Sequence, residues 1–246
     1  MIYCVSFPKC GRTYLRFMIG KYFQLKHNLR ELHLLNYATS AEHFGYKHGM
    51  KFTHAEFYRD DHIIPFDKLQ MQKTIWLRRN PFDVMVSWYH HVVFRKKEVR
   101  MSISDFIKTY EYGIVPYITF EVMAEALDNK MIIYYEELVE TPELYLNAVL
   151  QLMGEKPDTD LLFQAVDESS FEKMREAELS GSVNISEKNY IDKSDTRQLK
   201  TRVGKVYNYK NYLSPEDIKF INEEFHHYDK WKQSISKRIR KVLDIS

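Results

Sequence analysis

The apolar positions of this chain form two alternating patterns, short continuous runs and longer stripes with helical spacing. Short runs rich in β-branched and aromatic residues predict buried strands at 2–5, 50–54, 73–77 and 131–135. After Thr13 the apolar residues instead recur at i, i+3, i+4, i+7 and i+8, which predicts a helix with one buried face. Strands that alternate with helices are typical of an α/β domain with a mainly parallel central sheet, flanked by helices, whose sites lie at the carboxyl ends of the strands.

Turn and capping residues place the remaining helices. Asn80 and Pro81 are a favourable N-cap and first helical residue, so a helix is predicted from there to about Lys97. Further helices are predicted from about Ser104, over 116–129, over 142–153 and from Pro215. The segment 180–202 is polar and poor in large aliphatic residues, which predicts a functional loop. We take residues 1–246 as a single domain, because a chain of 246 residues can bury a full core and this one shows no internal repeat.

The first strand, the loop after it and the first helix form the most informative stretch of the sequence. Pro8 and Gly11 interrupt the strand, and Lys9, Arg12 and Thr13 lie in the loop and the first helical turn. This arrangement directs unpaired backbone N–H groups and the positive end of the helix dipole at one point. The sequence therefore predicts a P-loop-like anion site for a phosphate or sulfate group. The alternative is a strand-to-helix turn whose basic residues are only solvated.

This loop does not match the P-loop of nucleotide triphosphatases, because the first glycine is absent and the lysine precedes Gly11. Residues 8–15 read Pro-Lys-Cys-Gly-Arg-Thr-Tyr-Leu. They resemble the loop Pro-Lys-Ser-Gly-Thr-Thr-Trp-Leu of sulfotransferases that use 3′-phosphoadenosine 5′-phosphosulfate (PAPS). The resemblance implies that this strand-loop-helix binds the phosphosulfate. The implied contacts are Lys9, Cys10, Gly11, Arg12, Thr13 and Tyr14, of which Cys10, Arg12 and Tyr14 depart from the family pattern.

A second group of residues follows the third predicted strand. Arg79 lies at the end of that strand and Ser87 about two turns into the next helix, so a guanidinium and a hydroxyl can meet one phosphate. By spacing alone they could equally be an exposed arginine and a helical serine without a role. Residues 79–89, Arg-Asn-Pro-Phe-Asp-Val-Met-Val-Ser-Trp-Tyr, resemble the sulfotransferase segment that holds the 3′-phosphate of the nucleotide. The resemblance implies that Arg79 and Ser87 bind this phosphate.

His54 ends the second predicted strand, where the family carries Lys-Thr-His with the histidine as general base. This chain reads Lys-Phe-Thr-His over 51–54, which is one residue longer. The resemblance implies that His54 is the base and that Lys9 stabilises charge on the leaving phosphate oxygen. By residue type alone a lone histidine is more often structural. The other candidates for the base are His62, His90 and His91.

Three further segments extend the resemblance over nearly the whole chain. They are Tyr-Glu-Glu-Leu at 135–138, Ser-Ser-Phe-Glu-Lys-Met at 169–174 and Arg-Val-Gly at 202–204. The resemblance implies nucleotide contacts from Tyr135, Ser169, Phe171, Arg202, Val203 and Gly204. Val203 replaces a lysine of the family, which removes one candidate charge from the 3′-phosphate. The rings of Tyr135 and Phe171 are also expected to pack in the core.

Composition limits the class of protein. A formal net charge of +2 gives no support for a general nucleic-acid binder. No run approaches the ~18 apolar residues of a membrane span, and the first strand starts so early that no signal peptide or anchor is expected. Cys4 and Cys10 are six residues apart and flank the loop, which predicts reduced thiols and a cytoplasmic setting. The resemblance implies no metal.

The implied activity is in-line transfer of a sulfuryl group from PAPS to a hydroxyl or amine of a small-molecule or carbohydrate acceptor, leaving 3′,5′-bisphosphoadenosine (PAP). Two alternatives remain, a nucleotide-kinase-like phosphotransferase and a catalytically inactive nucleotide-binding homologue. The oligomeric state stays open. The family's dimer segment Lys-x-x-x-Thr-Val-x-x-x-Glu is poorly met at 210–219, because Pro215 and Lys219 occupy its Val and Glu positions.

Overall fold

The central element is a sheet of four parallel strands. The computed structural model describes residues 1–30, 44–55, 64–182 and 192–242, with backbone alone from residue 230. The strands of this part of the chain are β1 (Ile2–Val5), β2 (Met50–Thr53), β3 (Lys73–Arg78) and β4 (Lys130–Tyr134). Their order is β2-β1-β3-β4, and every neighbouring pair is parallel. The predicted α/β class and all four predicted strands are confirmed.

The register brings the carboxyl ends of the four strands to one edge of the sheet. Val5 of β1 lies opposite Thr53 of β2 and Trp76 of β3, and Arg78 of β3 lies opposite Tyr134 of β4. The residues that follow each strand therefore meet above the same edge. The sequence pattern placed a candidate side chain just after each of these strands.

Ten α-helices in the described residues surround the sheet. Six of them begin close to predicted helices, whereas those at 66–70, 135–140, 159–167 and 171–180 were not predicted. They are α1 (Arg12–Lys26), α2 (Phe66–Gln70), α3 (Pro81–Tyr89), α4 (Ile103–Phe106), α5 (Ile114–Glu125), α6 (Tyr135–Glu140), α7 (Pro142–Leu152), α8 (Thr159–Asp167), α9 (Phe171–Ser180) and α10 (Pro215–Val242). Short 3-10 turns span Thr196–Gln198 and Asn208–Asn211. Residues 183–191 of the predicted loop lie outside the described residues.

The helix predicted from Pro81 to about Lys97 has two parts. The side chain of Asn80 accepts from the N–H groups of Phe82 and Asp83 at 3.1 and 3.3 Å, which caps α3 as predicted. After Tyr89 the chain continues as a π-helix over His90–Lys96. A π-helical turn holds more residues than an α-helical one, so the faces of the two parts do not continue each other. Sequence periodicity could not show this change.

The buried apolar residues form one core that includes the strands, α1 and most of the other helices. The predicted apolar stripe of α1 is buried as expected, with Leu15, Met18, Ile19, Tyr22 and Phe23 all fully inaccessible. Burying a side chain of this size contributes about 1.5–3 kcal/mol, so the stripe holds α1 firmly in this core. The N-terminus of α1 is thereby held at the carboxyl edge of the sheet.

The described residues lack both a membrane-spanning helix and a metal cluster. Within this part of the chain, none of the helices is long and apolar enough to cross a membrane. The same residues contain no group of histidine, cysteine, aspartate and glutamate suited to a metal ion. Cys4 and Cys10 are buried and form no disulfide.

Candidate functional site

A cavity of about 370 Å³ lies at the carboxyl edge of the sheet and receives most of the residues that the sequence singled out. Those that line it are Lys9, Gly11, Arg12, Thr13, Tyr14, His54, Arg79, Ser87, Tyr135, Phe171, Arg202, Val203 and Gly204. They come from the loop after β1 and the first turn of α1, the residues just after β2 and β3, the second half of α3, the starts of α6 and α9, and the segment before α10. Residues more than 190 positions apart, such as Lys9 and Arg202, therefore share one cavity.

The loop after β1 has the backbone that an anion site requires. Gly11 adopts a φ of 103° and precedes α1 without any side-chain cap, so the first N–H groups of the helix face outward. A Cβ on Gly11 would lie 2.4 Å from Cδ2 of Tyr135, closer than any real contact. Glycine is therefore required both for the backbone conformation and for the ring that packs against it.

Gly204 lies against the ring of Phe171 in the same way. Its φ is 69°, and a Cβ there would lie 2.3 Å from Cδ2 of Phe171. Tyr135 and Phe171 thus each lie against a glycine of a cavity-lining loop. Any larger residue at either glycine would displace the ring, so these rings are held in place as part of the cavity lining.

Lys9 is a cation in an unfavourable setting. Burial lowers its pKa to about 7, with further lowering from the charges of Lys200 and Arg95. Its backbone is also strained, with a φ of 73°. A bound anion would offset the cost of burying the charged Lys9 and its repulsion by the nearby cations, because an opposite charge favours the protonated ammonium. The site is therefore suited to a multiply charged anion.

His54 has the tautomer that a general base needs. Its Nδ1 donates to the carbonyl oxygen of Ser6 at 2.8 Å, so the lone pair is on Nε2. Nε2 accepts a hydrogen bond from the guanidinium of Arg12. Burial, followed by the charge of Arg12, holds the pKa of His54 well below its usual value. The ring is neutral at physiological pH and bonded to the anion loop.

Arg79 shows an unmet hydrogen-bonding capacity. Its Nη1 donates to the carbonyl oxygen of Lys9 at 3.1 Å, and the guanidinium lies 4.4 Å from the ring centroid of Tyr135. Its Nε is buried and has no partner within the described residues. A buried N–H of a guanidinium normally has an acceptor, so this atom points to an anion such as a phosphate.

Two carboxylates that the sequence did not assign to the site hold the segment 200–209 in place. Glu178 accepts from the N–H groups of Lys200 and Thr201, each at 2.8 Å, and Arg95 contacts it at 3.3 Å. Asp83 accepts from the N–H groups of Tyr207 and Tyr209 at 2.6 and 2.9 Å. Asp83 was visible in the 79–89 motif, but Glu178 and Arg95 carried no local signal.

These contacts bring further basic residues into the site. Lys200 and Lys205 line the cavity beside Arg202, and neither was predicted. Burial alone would raise the pKa of Glu178, but the two backbone donors and Thr201 hold it below its usual value. Glu178 is therefore an ionised carboxylate that fixes the cation-bearing segment.

Two predicted nucleotide contacts lie outside the cavity lining. The Cys10 side chain is fully buried, and burial raises its pKa well above the usual value. Ser169 is also fully buried, and its hydroxyl donates to the carbonyl oxygen of Ala165 at 2.7 Å. The Cys10 side chain packs in the core, and the Ser169 hydroxyl is already hydrogen-bonded to the last turn of α8. A nucleotide contact from either residue would have to come from its backbone.

The other histidines named as candidate bases differ in their placement. His62 lies outside the described residues. His90 is buried next to Phe94 and Tyr212 and is not part of the cavity lining, whereas His91 is. Of the described histidines, His54 and His91 reach the cavity, and only His54 follows directly from a strand of the sheet.

A basic loop, a neutral buried histidine and two rings held against glycines thus line one cavity at the carboxyl edge of a parallel α/β sheet. A family model described as the sulfotransferase domain matches residues 2–237, and the chain belongs to this family. The resemblance inferred from the loop and strand motifs is thereby confirmed.

The curated relatives agree with this assignment. Human sulfotransferase 1C2 is 28% identical over 152 residues, which are 58% of this chain and 49% of the relative. Rat sulfotransferase 2A6 is 30% identical over 128 residues, which are 48% of this chain and 44% of the relative. The chain thus spans about half the length of these relatives.

Solved structures share the fold along most of the chain. Mouse sulfotransferase SULT7A1 complexed with PAP has a TM-score of 0.62 at 18% identity, over 99% of this chain and 87% of that chain. Retinol dehydratase in complex with androsterone and the inactive cofactor PAP has a TM-score of 0.63 at 16% identity, over 92% of this chain and 79% of that chain. At these identities the likeness shows the fold.

Proposed function

We propose that this chain is a PAPS-dependent sulfotransferase that transfers a sulfuryl group to a hydroxyl or amine of a small-molecule or carbohydrate acceptor. The observation that carries the proposal is the meeting of His54 and the loop around Lys9 at one cavity. A neutral base and a cationic loop at the same point suit a reaction in which a proton leaves the acceptor while negative charge grows on a phosphate oxygen.

The nucleotide would be held by groups that already face the cavity. Lys9, Thr13 and the N–H groups at the start of α1 suit the phosphosulfate. Arg79, with its unpartnered Nε, suits the 3′-phosphate together with Ser87 and Arg202. The rings of Tyr135 and Phe171 would contact the adenine. Val203 supplies no charge, but Lys200 and Lys205 line the same cavity.

The chemical step follows from the tautomer of His54. Nε2 takes the acceptor proton as the acceptor oxygen or nitrogen bonds to sulfur, and the bond from sulfur to the bridging phosphate oxygen breaks in line. The electron pair of that bond remains on the phosphate, where the Lys9 ammonium stabilises it. The Arg12 guanidinium has to leave Nε2 first, and the anionic phosphosulfate beside the same loop is the natural acceptor for it.

One observation favours a second candidate, a nucleotide-binding homologue without turnover. The guanidinium of Arg12 donates a hydrogen bond to the lone pair on Nε2 of His54. The sulfotransferase loop that this one resembles carries threonine in place of Arg12. If the guanidinium stays in place when nucleotide binds, the base is blocked. Binding of PAP without transfer to any acceptor would favour this candidate.

A screen with radiolabelled PAPS tests the proposal. The purified chain is incubated with phenols, alcohols, amines and sugars, and labelled products are separated from the nucleotide. Calorimetry of PAP and of AMP is run in parallel, because the residues assigned to the 3′-phosphate predict a clear preference for PAP. Transfer to an acceptor class supports the proposal, and equal affinity for PAP and AMP would overturn the nucleotide assignment itself.

A further inference from the structure

His91 is a polar residue built into the cavity lining that the proposed chemistry does not use. It lies in the π-helix, four residues after Ser87, and only 7% of it is exposed. Its ring stacks on that of Trp88, with centroids 5.3 Å apart and an interplanar angle of 17°. Trp88 also lines the cavity, so the imidazole forms part of a flat, rigid surface there.

The hydrogen-bonding capacity of His91 is unmet. Its Nδ1 is sealed from solvent and has no partner, and neither ring nitrogen bonds to a residue in the described part of the chain. In the neighbouring His90 both ring nitrogens are sealed, whereas in His91 only Nδ1 is. Nε2 of His91 is therefore the atom through which this ring can bond to a molecule in the cavity. A buried polar group that finds such a partner recovers its desolvation penalty.

His91 also lies close to the residues assigned to the reaction. Burial, followed by the charge of Lys9, holds its pKa well below the usual value, so the ring is neutral. His91 lines the same cavity as Lys9 and His54. An acceptor that reaches His54 has to enter the cavity that this ring faces. A neutral imidazole suits a hydroxyl, which can donate or accept, better than a charged group.

We propose that His91 selects the acceptor, by a hydrogen bond from Nε2 to a second hydroxyl next to the one that is sulfated. The preferred acceptors are then vicinal diols, such as catechols and sugar diols, over simple phenols and alcohols. The flat surface of Trp88 and His91 suits a ring that carries both hydroxyls. This inference rests on the proposed function and names the acceptor class of the same site.

Matched acceptors that differ by one hydroxyl provide the test. The pairs are catechol with phenol, and cis-cyclohexane-1,2-diol with cyclohexanol. Wild type is expected to favour the diol of each pair in kcat/KM. His91→Phe keeps a ring of similar size against Trp88 but removes the hydrogen bond, and should reduce that preference by about 10-fold. His91→Gln keeps a nitrogen near the position of Nε2 and should restore part of it. His90→Phe is the control and should leave the preference unchanged.

Binding measurements keep the test independent of turnover. The same compounds are titrated into the PAP-bound protein, and the ring nitrogens of His91 are followed by NMR. The diols should shift Nε2 of His91 at lower concentration than their partners do. Three results would overturn the proposal. They are equal binding of the two compounds of a pair, no NMR shift of His91 with any compound, and an equal loss of kcat/KM for both compounds in His91→Phe. That last result would place His91 on the transferred group. Failure of the proposed function is separate, since it would appear as loss of the preference for PAP over AMP.

Discussion

The guanidinium of Arg12 donates to Nε2 of His54, the ring atom whose lone pair the proposed reaction needs. Arg12 is the first residue of α1, and His54 follows β2 directly. The contact therefore joins the anion loop to the base across 42 residues of sequence. In the proposed reaction, binding of an anion to the loop and release of the Nε2 lone pair would then be linked, because the same guanidinium would serve both.

Arg12→Thr tests this link through pH. The charge of Arg12 is, after burial, the main cause of the lowered pKa of His54, so its removal should raise that pKa toward the ordinary value near ~6.5. A base works in its neutral form, and turnover is lost as pH falls through its pKa. The variant should therefore lose kcat/KM at a higher pH than wild type. The pH profile of kcat/KM measures this.

A suitable control for that profile is Lys21→Thr, which removes a cation of α1 that pairs with Glu168. In this variant the fall of kcat/KM at low pH, the acid limb of the profile, should lie at the same pH as in wild type. An acid limb that stays unmoved in Arg12→Thr would show that the guanidinium does not act on the base.

Nucleotide binding should take up a proton at Lys9. In the empty protein the pKa of Lys9 is lowered to about 7, so at pH ~8 most of the side chain is neutral. A phosphate beside it raises the pKa and draws a proton from solution. Calorimetry of PAP at pH ~8 in buffers of different ionisation enthalpy should show uptake of close to one proton, and Lys9→Met should abolish it. Affinity for PAP should also fall as pH rises above the pKa of the empty site. Equal uptake in wild type and Lys9→Met would contradict the assignment.

Binding of the 3′-phosphate of PAP should depend on Arg79. Truncation of one partner of a buried charge-assisted contact costs about 2–5 kcal/mol, so Arg79→Ala should weaken PAP binding strongly and bring it close to that of AMP. Ser87→Ala removes one hydroxyl from the same phosphate and should cost about 1 kcal/mol. Calorimetry of both nucleotides with both variants checks this. A parallel loss for AMP and PAP would place Arg79 elsewhere on the nucleotide.

Glu178 should control both stability and nucleotide affinity. Its carboxylate holds the N–H groups of Lys200 and Thr201 and pairs with Arg95, whose side chain is also buried. Glu178→Gln leaves Arg95 without a charge partner there, so unfolding free energy should drop by about 3 kcal/mol. Affinity for PAP should fall as well, because the segment that carries Arg202 loses its support.

The exposed Glu176 on the same helix supplies the matched control. Glu176→Gln should change neither urea denaturation nor PAP binding. The pKa of Glu178 is lowered in the folded protein, so its contribution to stability is present above the carboxylate's unfolded-state pKa. It is lost as pH falls through the folded-state pKa. An acid dependence of stability that is identical in wild type and Glu178→Gln would contradict this role.

The sequence predicted the parts of this site that depend on local pattern. Apolar runs located the four strands, and a parallel sheet then brings the residues after each strand together. For this reason the pattern could place Lys9, His54 and Arg79 near one edge of the sheet. Their roles in one site, and the inclusion of Tyr135, came from the resemblance to sulfotransferase segments. The capping pair Asn80 and Pro81 likewise fixed the start of α3.

The sequence could not predict the contacts that join distant backbone and side-chain atoms. Asp83 binds N–H groups that lie more than 120 residues further on, and a backbone N–H leaves no trace in residue type. The burial of Cys10 and Ser169 depends on which side of a loop or helix end faces the core. The π-helix that turns His91 into the cavity departs from the regular helical period on which the pattern relies.

The central claim, sulfuryl transfer with His54 as the base, is tested most directly by single-turnover transfer from radiolabelled PAPS in wild type and His54→Ala. A positioned general base contributes about 10²–10⁴-fold, so His54→Ala should lose at least about 100-fold of the transfer rate. Its affinity for PAP should not fall, because His54 is assigned to the acceptor and loss of its ring only releases Arg12. Near-normal transfer by His54→Ala, with PAP binding intact, would contradict the account and move the search for the base to His91 and His62.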